Sequence, residues 1–186
     1  MLTIQQLEHN KAKFVETNEK YNIMTKELVD FLGDDLYTSP ASTRLSMAGC
    51  YPGGLLNHII KACKYSVKVN DILPEALRQP IPTIVKTVFL AQIGKVFMYC
   101  LSENKTHGQM YDFCDDTVRL RVGERSAYYA INHGVKLAEE EYQAILNLDK
   151  DDEDKMAKYF SSPLTSIIKW GFELAIMEEK NGKKSN

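Results

Sequence analysis

What this chain is short of narrows it first. Its 186 residues hold no apolar run approaching the roughly 20 residues that span a bilayer, so no membrane segment is expected. Lysine and arginine number 23 against 25 aspartates and glutamates, a formal net charge of −2. Neither sign dominates, which removes a global pull toward nucleic acid or a membrane surface. The four cysteines, Cys50, Cys63, Cys100 and Cys114, show no CxxC spacing. They read as reduced thiols in a cytoplasm rather than as disulfides or a zinc site. There is no GxxxxGK[ST] loop and no GxGxxG after a strand, the phosphate cradles of the common nucleotide-binding folds. The opening MLTIQQLEHNKAKF is polar and helical in pattern, unlike a secretory signal. The acidic run DKDDED at 149–154 lacks the glycine and spaced ligands of a calcium-binding loop and reads as a solvated loop.

What is present is a helical protein. At this length and with ordinary apolar content, one domain over 1–186 is expected. The chain is organised around Cys50 to Asp71. A Tyr-Pro-Gly-Gly turn leads into a helix whose polar residues, Asn57, Lys61, Lys64, Lys68 and Asp71, form one narrow stripe. Leu55, Leu56, Ile59, Ile60, Cys63 and Val67 fill much of the remainder, so this helix should be packed on more than one side. His58 lies off the polar stripe and is expected to point inward.

Residues 1–33 read as an N-terminal helix with a seven-residue recurrence of Leu7, Phe14, Tyr21 and Leu28. Asn18 to Asn22 offers a break, and Gly33 suits a C-cap. The seam suits packing on the domain or a homodimer contact. Residues 33–49 read as loop, with Asp34-Asp35 as a solvated N-cap. Pro74, Pro80 and Pro82 mark a connector, and Thr83 to Ile93 is a buried helix closed by Gly94-Lys95. From 96 to 122, three short aromatic and β-branched runs suggest an antiparallel hairpin or meander, with Arg119 and Arg121 on one face of the last. Helices are then expected at Ala127–Asn132, at Leu137–Leu148 behind an acidic first turn, and over 155–179 as one helix or a helix pair with Pro163 near its middle. Residues 180–186 read as a flexible tail.

In order along the chain stand ASTR, YPGGLLNH, an apolar helix ending in IGK, GERS, EEYQAI and SPLTSIIKWGFELA. This sequence of motifs resembles the HD-domain metal-dependent phosphohydrolases, in particular a compact branch common in bacteriophages, over roughly residues 39–175. The resemblance implies a mainly α, HD-domain-like helical bundle with a small β insertion, its core at 34–176. In active members, histidines and aspartates on several helices hold divalent metal, whose bound water attacks a phosphate ester. Here His58 stands at one ligand position. The namesake His-Asp pair, however, reads Ala91-Gln92. The other positions fall near Ala48, Leu148 and Phe172, with Asp149 and Glu173 one step out of register on their helices.

The resemblance therefore implies a catalytically inactive relative, phage-encoded, working by binding in the cytoplasm of a bacterial host. No catalytic residue, metal or cofactor is assigned. A surviving pocket for a nucleotide or other phosphate would use Arg44, His58, Lys95, Arg125 and Ser126, with the amides opening the helix after Ser126 adding a positive end. Two further readings stand beside it. One is pure interaction with a host or phage protein through the N-terminal helix and the β insertion, with Tyr99, Tyr111 and Phe113 as anchors. The other is residual phosphohydrolase activity with substitute ligands. Ser126, His133 and Asp149 make a triad only by composition, and Cys50 near His58 could be nucleophile and base only if their orientation allowed it.

Overall fold

The computed structural model describes residues 2–103, 108–114, 120–149 and 161–182. Among these are eight helices and one two-stranded antiparallel sheet, the mainly α architecture with a small hairpin that the sequence suggests. The N-terminal segment is two helices, not one: α1 at Ile4–Tyr21 and α2 at Lys26–Leu32. Asn22 takes a left-handed conformation at φ 49°. The Asn18 side chain accepts a hydrogen bond from the Met24 amide at 2.8 Å and so holds the reversal. The recurrent seam faces the body of the protein, since Phe14 is buried against Tyr37 and Phe89. Gly33 caps α2 at φ 53°. A one-turn helix α3, Asp35–Thr38, interrupts the expected loop, and Asp34 at its N-cap position makes no side-chain cap bond.

Helix α4, Gly54–Ile72, is the axis of the fold. Its predicted polar stripe faces solvent, and the apolar remainder is buried or half-buried except for Ile72 at the last position, which is exposed. The glycine turn before it is tight: a Cβ on Gly54 would lie 2.1 Å from the Gly49 carbonyl oxygen. Helix α5, Ile81–Ala91, starts two residues earlier than the sequence suggests, with Pro82 in its first turn. A 3₁₀ turn, Ile93–Lys95, follows it. Strands β1, Tyr99–Leu101, and β2, Tyr111–Phe113, pair with Tyr99 opposite Phe113.

The third β run is corrected. Val122 opens helix α6, Val122–Asn132, which begins five residues before the expected start at Ala127. Glu124 reaches back to accept the Arg121 amide at 2.9 Å, a capping interaction that outweighs the β pattern of the preceding residues. Leu120 and Arg121 lie in no strand, and the start of that run, including Arg119, falls outside the described residues, as do most of the acidic 149–154 stretch and residues 155–160. Helix α7 spans Glu139–Asn147 and α8 spans Pro163–Gly182. The expected tail start at 180 is therefore still helix. No described helix is long and apolar enough to cross a membrane.

α8 lies antiparallel along α4, with His58 meeting Glu179 and Ser66 meeting Gly171. A Cβ on Gly171 would sit 1.9 Å from Ser66 Oγ and 2.8 Å from the Ala62 carbonyl, so the missing side chain sets how closely the helices approach. One continuous apolar core joins residues of α1 through α8.

Candidate functional site

The structure places three of the sequence-selected residues in two polar clusters, His58 in one and Lys95 and Ser126 in the other. The first surrounds His58. α4 buries the imidazole, which is 5% exposed, and its Nδ1 lies 3.3 Å from Glu179 Oε1. Phe172, near the position where the resemblance would place an aspartate, is itself buried and packs on the imidazole with ring centroids 5.5 Å apart. Lys61 Nζ approaches Glu178 at 3.5 Å and Glu179 at 3.9 Å. The Tyr51 hydroxyl accepts from Asn57 at 2.8 Å. Burial, with the Glu179 carboxylate nearby, pushes that phenol up to about 12. Glu179 Oε2 is buried without a hydrogen-bond partner. His58 is therefore tied by Glu179 and covered by Phe172.

The second cluster forms at the turn after α5. Gly94 is forced here, because a Cβ would lie 2.4 Å from the Val122 carbonyl oxygen. Ser126 Oγ donates to the Ala91 carbonyl at 3.0 Å and accepts from the Gly94 amide at 2.8 Å. Ser126 is fully buried, and its hydroxyl locks the turn that presents Lys95. Lys95 donates to the Ala41 carbonyl at 2.9 Å, bringing the loop of residues 39–49 over the turn. Burial lowers the Lys95 ammonium below the ordinary lysine range, and Asp149 partly offsets that.

Asp149, just past α7, faces Lys95. Its carboxylate accepts the Gly123 amide at 3.1 Å and a hydrogen bond from the Gln92 side chain. Loss of surrounding water raises this carboxyl, against the opposing pull of Lys95, the Gly123 amide, Gln92 and Arg121. Burial, helped by Asp149, likewise pushes the Tyr99 phenol up to about 12. The amides opening α6 precede Ser126 rather than follow it, because the helix starts at Val122, and Asp149 already occupies one of them.

Of the remaining selected residues, Arg125 is buried in α6. Arg44 is exposed and pairs through its backbone with Gln109 beside the hairpin. Ser126, His133 and Asp149 do not form a triad: His133 Nδ1 lies 2.8 Å from the Tyr129 carbonyl, its ring stacks on Phe31, and Ser126 is committed to the Gly94 turn. None of the four cysteines is in a disulfide. Burial pushes the Cys63 thiol up to about 11, which keeps it protonated and unreactive near neutrality.

The donors present do not fit the metal that the resemblance implies. Ala91 offers no ligand atom, Gln92 is bonded to Asp149, and Phe172 covers His58. Among the described residues, no three His, Cys, Asp or Glu side chains gather around a common point.

Sequence reasoning missed Glu179 as the partner of His58. Its signal was the spacing of seven residues from Phe172, which puts both on one face of α8. It also missed the bond between Asp149 and the opening amide of α6, which local pattern does not encode. No family model matches the chain, and no curated protein and no solved structure matches it either.

Proposed function

We propose that the chain is a catalytically inactive HD-domain relative that works by binding a phosphate-bearing ligand at the Lys95 turn. In this reading it is a phage-encoded accessory protein of the bacterial cytoplasm. The observation that supports it is the setting of Lys95. The Lys95 ammonium, held by the Ala41 carbonyl, and Arg121 both act on the Asp149 carboxylate, which also accepts one of the amides opening α6, so this spot already draws one anionic group of the chain itself. Cations and helix-opening amides together favour an anion. The covering of His58 by Phe172 supports the inactive half of the reading, since a metal-activated water has no seat there.

The test combines native mass spectrometry and metal analysis of the purified protein with titration of nucleoside monophosphates into wild type and Lys95→Met. Saturable binding that weakens about tenfold or more in Lys95→Met, without turnover, is the expected result. Stoichiometric manganese, iron or zinc together with phosphatase activity lost in His58→Ala would establish residual hydrolysis instead.

A pure interaction role is the second reading, favoured by the hairpin. Leu101 and Phe113 are 72% and 64% exposed. Of the three expected anchors, Phe113 alone is well exposed; Tyr111 is buried, and Tyr99 is half-buried against Phe113. Absence of any ligand, with a host or phage protein recovered through Phe113, would favour this reading.

A further inference from the structure

The outer face of α6 and α7 carries a feature that neither the Lys95 turn nor the hairpin uses. The two helices lie antiparallel, because the start of α6 abuts the end of α7: a Cβ on Gly123 would meet the Ile145 carbonyl oxygen at 2.4 Å. Between them run two adjoining depressions of about 420 and 650 Å³ that share Ile131 and Tyr142. Their floor is apolar and open. Tyr128 is 60% exposed, Ile131 52% and Tyr142 41%. Aromatic and aliphatic side chains left open side by side in one groove supply the kind of anchors that buried interface cores use.

The rim gives the partner its chemistry. On α6, Glu124, Tyr128 and Ile131 fall at i, i+4 and i+7; on α7, Glu139, Tyr142 and Leu146 fall at i, i+3 and i+7. Each triplet shares one helix face. Because the helices are antiparallel, Glu124 stands at one end of the apolar floor and Glu139 at the other. Among the described residues that line the groove, Lys136 is the one cation, so the carboxylates of Glu124 and Glu139 leave that lining one negative charge in excess. The span from Glu124 to Ile131 is about 10 Å at 1.5 Å per residue, two helical turns.

We infer that the α6/α7 groove docks a cationic amphipathic helix from another protein, with basic residues seven apart flanking an apolar stripe. Such a helix sets its apolar residues on Tyr128, Ile131 and Tyr142 and brings one cation to each glutamate. Burial of the aromatic floor supplies affinity, and the end charges select orientation and sign.

A synthetic helical peptide with lysines seven residues apart, and leucines at the third and fourth positions after the first lysine, tests this by NMR titration of the full chain. Its counterpart carries glutamates in place of the lysines. The expected result is saturable shifts at Tyr128, Ile131 and Tyr142 with the lysine peptide only, weakening as salt rises. Glu124→Gln/Glu139→Gln keeps the α6 cap acceptor and should weaken binding about tenfold. Tyr128→Ser/Ile131→Ser, both at exposed positions, should abolish it. Equal binding of the glutamate peptide, unchanged binding in the Gln variant, or no saturable shift overturns the proposal. The same shifts appearing on concentrating the protein alone would overturn it too, by showing that a second copy fills the groove.

Discussion

At the residue scale, the decisive contact is between His58 and Glu179. His58 could be singled out in the sequence because it is a histidine lying off the polar stripe, on the apolar side of its helix. Its partner could not, because 121 residues separate the two and nothing local marks a carboxylate for burial. Glu179 Oε2 already lacks a hydrogen-bond partner, so this carboxylate depends on what reaches Oε1. Removing the imidazole leaves it with Lys61 alone, at 3.9 Å. His58→Ala should therefore lower unfolding stability by about 3 kcal/mol, the usual scale for stripping one partner from a buried polar pair. Replacing both members with apolar residues of similar volume, His58→Phe with Glu179→Met, should recover much of that loss. Urea denaturation of the three proteins measures it, and His58→Ala at wild-type stability would show that the pair contributes little. Gln92 teaches a related lesson. A glutamine in place of a metal ligand reads in sequence as a loss, whereas in the structure it supports Asp149 across the Lys95 turn.

At the scale of elements, the α4–α8 contact holds the bundle together, and its closeness rests on Gly171 facing Ser66. α4 was legible because its polar stripe is narrow and its periodicity unbroken. The boundaries that moved, at α1/α2 and at the start of α6, were set by single side-chain bonds, Asn18 to Met24 and Glu124 to Arg121. Such bonds override a seven-residue recurrence or a β-branched run without altering either pattern. Gly171→Ala puts a methyl into Ser66 Oγ and should cost about 1–3 kcal/mol, as overpacked cores do. Ser66 Oγ is buried without a hydrogen-bond partner, so Ser66→Ala alone should be near neutral or stabilising. In the double variant the nearest clash is gone, while the Ala62 carbonyl at 2.8 Å remains. The pair should therefore show positive coupling with incomplete rescue in a double-mutant cycle. Strictly additive effects would mean that the helices separate rather than repack around Ser66.

At the scale of the whole molecule, the mainly α architecture could be read from periodicity and prolines, but the arrangement of polar groups could not. The residues matched to one expected pocket separate: His58 lies on the α4–α8 seam, Lys95 and Ser126 at the turn between α5 and α6, and Arg44 in the loop beside the hairpin. Spacing along a chain does not report which helix ends meet, and here the meeting of α5, α6 and α7 joins Lys95 to Asp149. The core itself is continuous. Phe14 of α1 touches Phe89 of α5, and the same cluster reaches Ala175 on α8. Among the described residues the core forms one cluster that joins all eight helices, so the chain should unfold as one cooperative unit. The single tryptophan, Trp170, reports on α8, while far-UV circular dichroism averages over all helices. The two signals should give coincident urea transitions with the same midpoint and slope. If α8 fluorescence changes first while helicity persists, the α4–α8 seam opens independently, and the chain holds two folding units rather than one.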